Sequence, residues 1–140
     1  MESKSVVSRA HRTLRRLKQY RDYVDKEKED FPDYVHRISF EPDEMLVGIY
    51  ENSPGQPEES IVVTNIGLYT FTNSQWVKIK YQQIERIDLP IGDKRQAEDL
   101  LIYWNETKTQ LAVRGGEDGF RDVFEFLRFL ERVSPHVSMQ

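Results

Sequence analysis

The sequence predicts an α+β domain that is mainly β, and three observations carry the prediction. Between Met45 and Arg114 the chain falls into short alternating or β-branched runs separated by Pro, Asn and Gly. After them Phe120, Val123, Phe124, Leu127 and Leu130 recur at helical spacing. Before them a narrow apolar stripe lies among basic residues. At 140 residues, with no Pro/Ser/Gly-rich linker, a single core is expected.

In the stripe, Val7, Ala10, Leu14, Leu17 and Val24 are spaced three, four, three and seven apart, which predicts a charged amphipathic helix within residues 1–33. Phe31-Pro32 stops it, because a residue before proline avoids helical angles. Tyr34, Val35, Ile38 and Phe40 then lead into the body, residues 34–140, as an extended connection.

Seven strands follow. Met45 to Glu51 alternates, and the loop Asn52-Ser53-Pro54-Gly55-Gln56-Pro57 ends it because proline lacks a ladder donor. Ile61 to Thr64 and Leu68 to Thr72 form a hairpin about Asn65-Ile66-Gly67, where Asn and Gly tolerate positive φ. Trp76 to Tyr81 sets Val77, Ile79 and Tyr81 on one face and Lys78 and Lys80 on a wet one. Ile84 to Leu89 continues from it. Past the loop Pro90 to Glu98, Leu100 to Trp104 and Thr109 to Arg114 pair around Asn105 to Lys108. Asp118 caps the closing helix, Arg121 to Val133, whose stripe is widened by Phe126, Phe129 and Val133.

Seven short strands and one apolar helix, with Ile61-Val62-Val63-Thr64-Asn65-Ile66-Gly67-Leu68-Tyr69 and Trp76-Val77-Lys78-Ile79-Lys80-Tyr81 among them, resemble the pleckstrin-homology (PH)-like superfold in its GRAM-type and bacterial PH-like forms. The resemblance covers roughly residues 41–133 and implies a bent barrel capped by its C-terminal helix, with no catalytic residue. Phosphoinositide binders of that superfold carry clustered Lys/Arg around the first hairpin loop. Here that loop, Glu51 to Ser60, holds Glu51, Glu58 and Glu59 and no base, so inositol phosphate binding there is not expected.

Net charge is -4 but unevenly spread. Ser3 to Arg21 holds seven Lys/Arg and no acid, whereas Asp22 to Asp33 holds six acids around Lys26 and Lys28. One continuous helix would thus carry its charges against its own macrodipole, a cost that a packed neighbour can offset. The expected function is a non-catalytic protein-interaction or self-association module. Its partner-binding residues are Arg9, Arg12, Arg15, Arg16, Lys18, Leu14 and Leu17 on the first helix, with Phe126 and Phe129 as the seat for that helix or for a partner. Anionic lipid or nucleic acid is the alternative class of partner, through the same cations.

Other features have plainer readings. The absence of cysteine removes disulfides and thiolate chemistry, and Asn105-Glu106-Thr107 reads as a turn. Glu41, Asp43 and Glu44 suggest hard-metal ligands but fit a charged turn better, and His11, His36 and His136 fit surface positions. Lys78, Lys80 and Arg86, with Lys94 and Arg95, make at most a weak basic patch. No metal, cofactor or small-molecule substrate is expected. The longest apolar run, Leu100 to Trp104, is far too short to span a bilayer, and no apolar leader segment is apparent, so a cytoplasmic location is expected.

Overall fold

A computed structural model describes residues 3–89, 99–114 and 120–137. Helix α1 (Ser3–Thr13) leads into β1 (Tyr20–Asp22), and β2 (Leu46–Tyr50), β3 (Ile61–Thr64), β4 (Gly67–Thr72), β5 (Gln75–Lys80), β6 (Ile84–Asp88), β7 (Asp99–Trp104), β8 (Thr107–Ala112) and α2 (Phe120–Val133) follow. The strands form two antiparallel sheets, β1-β2-β3-β4-β5 and β6-β7-β8. The fold is α+β and mainly β, with no closed barrel among the described residues. Eight strands stand where seven are expected; the seven body strands form within two residues of their expected bounds, and β1 is the addition.

The largest departure is at the N-terminus. The expected helix through Val24 ends at Thr13, where the Thr13 hydroxyl donates to the Arg9 carbonyl at 2.8 Å and the Leu14 and Arg15 amides both reach the Ala10 carbonyl. Two turns follow, closed by Leu17 N–H on the Leu14 carbonyl and Tyr20 N–H on the Leu17 carbonyl. They keep Leu14 and Leu17 in the core without a helix between them. With the helix ending at Thr13, the expected opposition between the charges of residues 1–33 and one long macrodipole does not arise. Arg12 lies in the last turn of α1 and Arg15 just beyond it, at the end where a helix favours cations.

α1 packs against α2 and β2. Val6, Ala10 and Leu14 are fully buried in one cluster with Val123, Phe126, Phe129, Leu130 and Val133 of α2 and the inward residues of both sheets. The wide apolar face of α2 is therefore occupied by the chain's own first helix. In the last turn of α1, the His11 ring pairs with the Asp22 carboxylate of β1 at 3.0 Å. Asp122 of α2 is buried too, and accepts a 2.6 Å hydrogen bond from the Tyr50 hydroxyl of β2.

Alternation along β2, β3 and β4 serves two cores. Val47, Tyr50, Ile61, Val63 and Leu68 face the main cluster, whereas Leu46, Ile49, Val62 and Tyr69 face a second one on the opposite side of the sheet. That side is covered by residues 31–40, of which Tyr34 to Phe40 are expected only as an extended connection. Phe31, Tyr34, Val35, Ile38 and Phe40 lie on it around a 3-10 turn at Asp33–Arg37. Tyr34 stacks on Trp76 and donates to Glu51 at 2.6 Å.

Glycine and turn chemistry also sit differently from expectation. Neither Asn65 nor Gly67 has positive φ. Gly67 is needed for another reason: a Cβ there would collide with the Ile79 carbonyl and the Lys80 Cα of β5. Gly48 likewise leaves room for the Tyr20 ring. Left-handed residues occupy the other two hairpins, Asn73-Ser74 between β4 and β5 and Asn105-Glu106 between β7 and β8, both with the paired positive φ of a two-residue turn. The expected cap Asp118, the loop residues Lys94 and Arg95, and the glycines at 115, 116 and 119 lie outside the described residues.

Candidate partner-binding surface

Rolling the apolar side of residues 9–18 into the core leaves a surface of one chemical kind. Ala10, Thr13, Leu14 and Leu17 are buried, Arg9, His11 and Gln19 are half-buried, and the exposed side chains are those of Arg12, Arg15, Arg16 and Lys18. Among the described residues no carboxylate lies within ion-pair distance of Arg12, Arg15 or Arg16. Arg21 is exposed on β1 just beyond them. Guanidinium groups suit such a surface, since their planar donors bind carboxylate or phosphate in pairs.

The sequence-expected residues thus separate into two groups. Arg12, Arg15, Arg16 and Lys18 come together on the surface with Arg9 at its margin, while Leu14, Leu17, Phe126 and Phe129 lie inside the chain's own core. The acidic residues of the next segment are also exposed. Asp25, Glu27, Glu29, Asp30 and Asp33, in the segment that follows β1, all face solvent.

Glu41, Asp43 and Glu44 belong to a different construction. The Glu44 side chain is fully buried, and its carboxylate accepts from the Thr64 hydroxyl at 2.6 Å, the Tyr69 hydroxyl at 2.9 Å, the Glu41 amide at 3.0 Å and Lys78 Nζ at 3.1 Å. Glu41 pairs with Lys78 at 2.6 Å and Lys80 at 3.1 Å. Both lysines of the expected wet face are therefore half-buried and paired, and Asn65 adds bonds to Met45 N–H and the Asp43 carbonyl. The network fastens the entry of β2 to the β3–β4 turn. Among the described residues no group of three His, Asp or Glu is placed to hold a metal ion.

Burial and these bonds move several titrations. Burial and the bond to Glu44 push Tyr69 up to about 12, against the pull of Lys78. Burial works to lower Lys78, but its bonds to Glu41, Tyr69 and Glu44 outweigh it and hold the ammonium above its ordinary 10.5. Burial likewise raises Tyr20, Tyr34 and Tyr81 above 10.0, with Asp22 adding to Tyr20 and Glu51 to Tyr34. A group raised on folding stabilises the fold below its unfolded value and loses that contribution as pH climbs through the folded one. Stability is therefore expected to fall steeply above pH ~10, the ordinary tyrosine value. Tyrosinate absorbance should lag a model tyrosine and then rise together with loss of the circular dichroism signal; these tyrosines titrating normally in an intact fold would contradict the account.

Sequence reasoning misses two further fixtures. Asn52 donates to the Glu59 and Ala112 carbonyls and accepts from the Arg114 amide, and the Arg114 guanidinium bridges Glu59 and Asp99, both at 2.9 Å. They tie the Glu51–Ser60 loop to β8. Their partners lie up to 62 positions apart, so no local pattern signals them.

No helix among the described residues is long and apolar enough to cross a membrane. Comparisons with models of known families, with curated proteins and with solved structures return no match.

Proposed function

We propose that the chain is a non-catalytic, PH-like protein-interaction module that binds its partner through Arg12, Arg15, Arg16 and Lys18. The observation that carries the reading is that the exposed residues between Arg9 and Lys18 are all cations, presented on a segment whose apolar side is anchored in the core. The PH-like part rests on strand order: β2 to β5 and then β6 to β8, in separate antiparallel sheets, precede one C-terminal helix.

Protein is favoured over a lipid surface because an interfacial helix binds through an apolar face, and Val6, Ala10 and Leu14 of α1 are already consumed. It is favoured over nucleic acid because the exposed acidic residues 25–33 follow the cations closely in the chain and would repel a polyanion bound there. The test places a photo-crosslinking residue at position 15 in the native cell. Discrete protein adducts that vanish in R12E/R16E support the reading. Absence of any protein adduct, together with salt-sensitive cosedimentation on phosphatidylserine vesicles or nucleic acid, would overturn it.

A further inference from the structure

We infer that the partner of the basic surface is a second copy of this chain, related by a two-fold axis passing beside β1; the inference rests on the protein-binding reading above. The two charged segments are contiguous and opposite in sign. Arg12, Arg15, Arg16, Lys18 and Arg21 include no acid between them, and Asp25, Glu27, Glu29, Asp30 and Asp33 surround only Lys26 and Lys28. Among the described residues neither Arg12, Arg15 and Arg16 nor these five acids have an ion-pair partner within the chain.

Their placement turns complementarity into a geometry. β1 spans only Tyr20–Asp22 and is the outermost strand of its sheet, with β2 on one side and no strand on the other among the described residues. Lys18 stands two residues before this strand and Asp25 three residues after it, so the chain enters β1 from the basic segment and leaves it into the acidic one. Setting a second β1 antiparallel to the first brings the basic end of each copy against the acidic end of the other. A two-fold contact is isologous, so every basic-to-acidic pairing is made twice and the interface closes at a dimer. A strand of three residues adds little ladder, which leaves the ion pairs as the main determinant of assembly. Exposed pairs of this kind are weak singly and screened by salt, so the dimer is expected to be salt-sensitive.

The experiment is sedimentation equilibrium of the full chain with two charge reversals. At low ionic strength the wild type is expected at twice the 16.6 kDa chain mass. Its dissociation constant should rise about tenfold or more when salt increases from about 0.05 M to about 0.5 M, as the Debye length contracts. R12E/R15E/R16E alone and E27K/E29K/D30K alone should each be monomeric, with circular dichroism spectra like the wild type because every substituted residue is exposed. An equimolar mixture of the two should recover the dimer, since the two acidic segments of the first variant then each meet one of the two basic segments of the second.

A wild type that stays monomeric at every salt and protein concentration overturns the inference, as does a dimer indifferent to both reversals or a mixture that does not reassociate. Discrete adducts to some other protein at position 15, with a monomeric wild type, would sink this inference alone. No protein adduct and no dimer would sink the protein-binding reading as well.

Discussion

Replacing Phe126 with alanine is expected to cost about 3–5 kcal/mol, the range for truncating a fully buried aromatic. Its ring is 0% exposed, packs edge-on against Tyr50 at 5.2 Å between centroids, and belongs to the same cluster as Val6, Ala10 and Leu14 of α1. Against a total stability of about 5–15 kcal/mol such a loss leaves a marginal fold. Chemical denaturation reads it as a large fall in the transition midpoint. A partner-facing Phe126 would behave in the opposite way: its replacement would change association and leave the midpoint of the isolated chain in place.

The second large effect is expected at Glu44. Alanine there removes the acceptor shared by Thr64, Tyr69, Lys78 and the Glu41 amide, none of which can turn fully to water. The loss should be about 2–4 kcal/mol, below the figure for an isolated buried pair because Glu41 still neutralises Lys78. Glu44→Gln keeps the shape and one acceptor oxygen but presents an amide to the donors, and should fall between wild type and alanine. A denaturation midpoint unmoved by Glu44→Ala would show that the buried carboxylate does not organise the β3–β4 turn.

These two residues mark how far the sequence is legible. Alternation and turn residues locate the body strands, because a strand with two environments must separate its side chains every second position. The stripe of α2 is legible for the same kind of reason, and Phe120–Val133 forms almost as expected. The first helix shows where periodicity misleads. Leu14 and Leu17 keep helical spacing past the end of the helix because successive turns deliver them to one core, and burial, not helicity, sets the spacing. β1 is too short to alternate visibly.

The same limit applies to polar positions. A charged stretch before β2 reads as a solvated turn, and nothing local distinguishes Glu44, which folds inward, from Asp43, which stays exposed. Only the meeting of Thr64, Tyr69 and Lys78 from three separate strands decides it. The cations are the converse case. Their identity is plain in the sequence, but their common exposure emerges only once α1 is seen to end at Thr13 and its apolar residues are seen to be buried.

The claim on which both the proposed surface and its partner rest is that residues 3–17 belong to the domain and are not a loose arm. Amide hydrogen exchange of the full chain tests it most directly, at Leu14 and Arg15, whose N–H groups both reach the Ala10 carbonyl at the end of α1. Protection of these two amides approaching that of Val62 and Val63 in β3 is the expected result. Exchange at the rate of an unstructured peptide, with β3 still protected, would contradict the account.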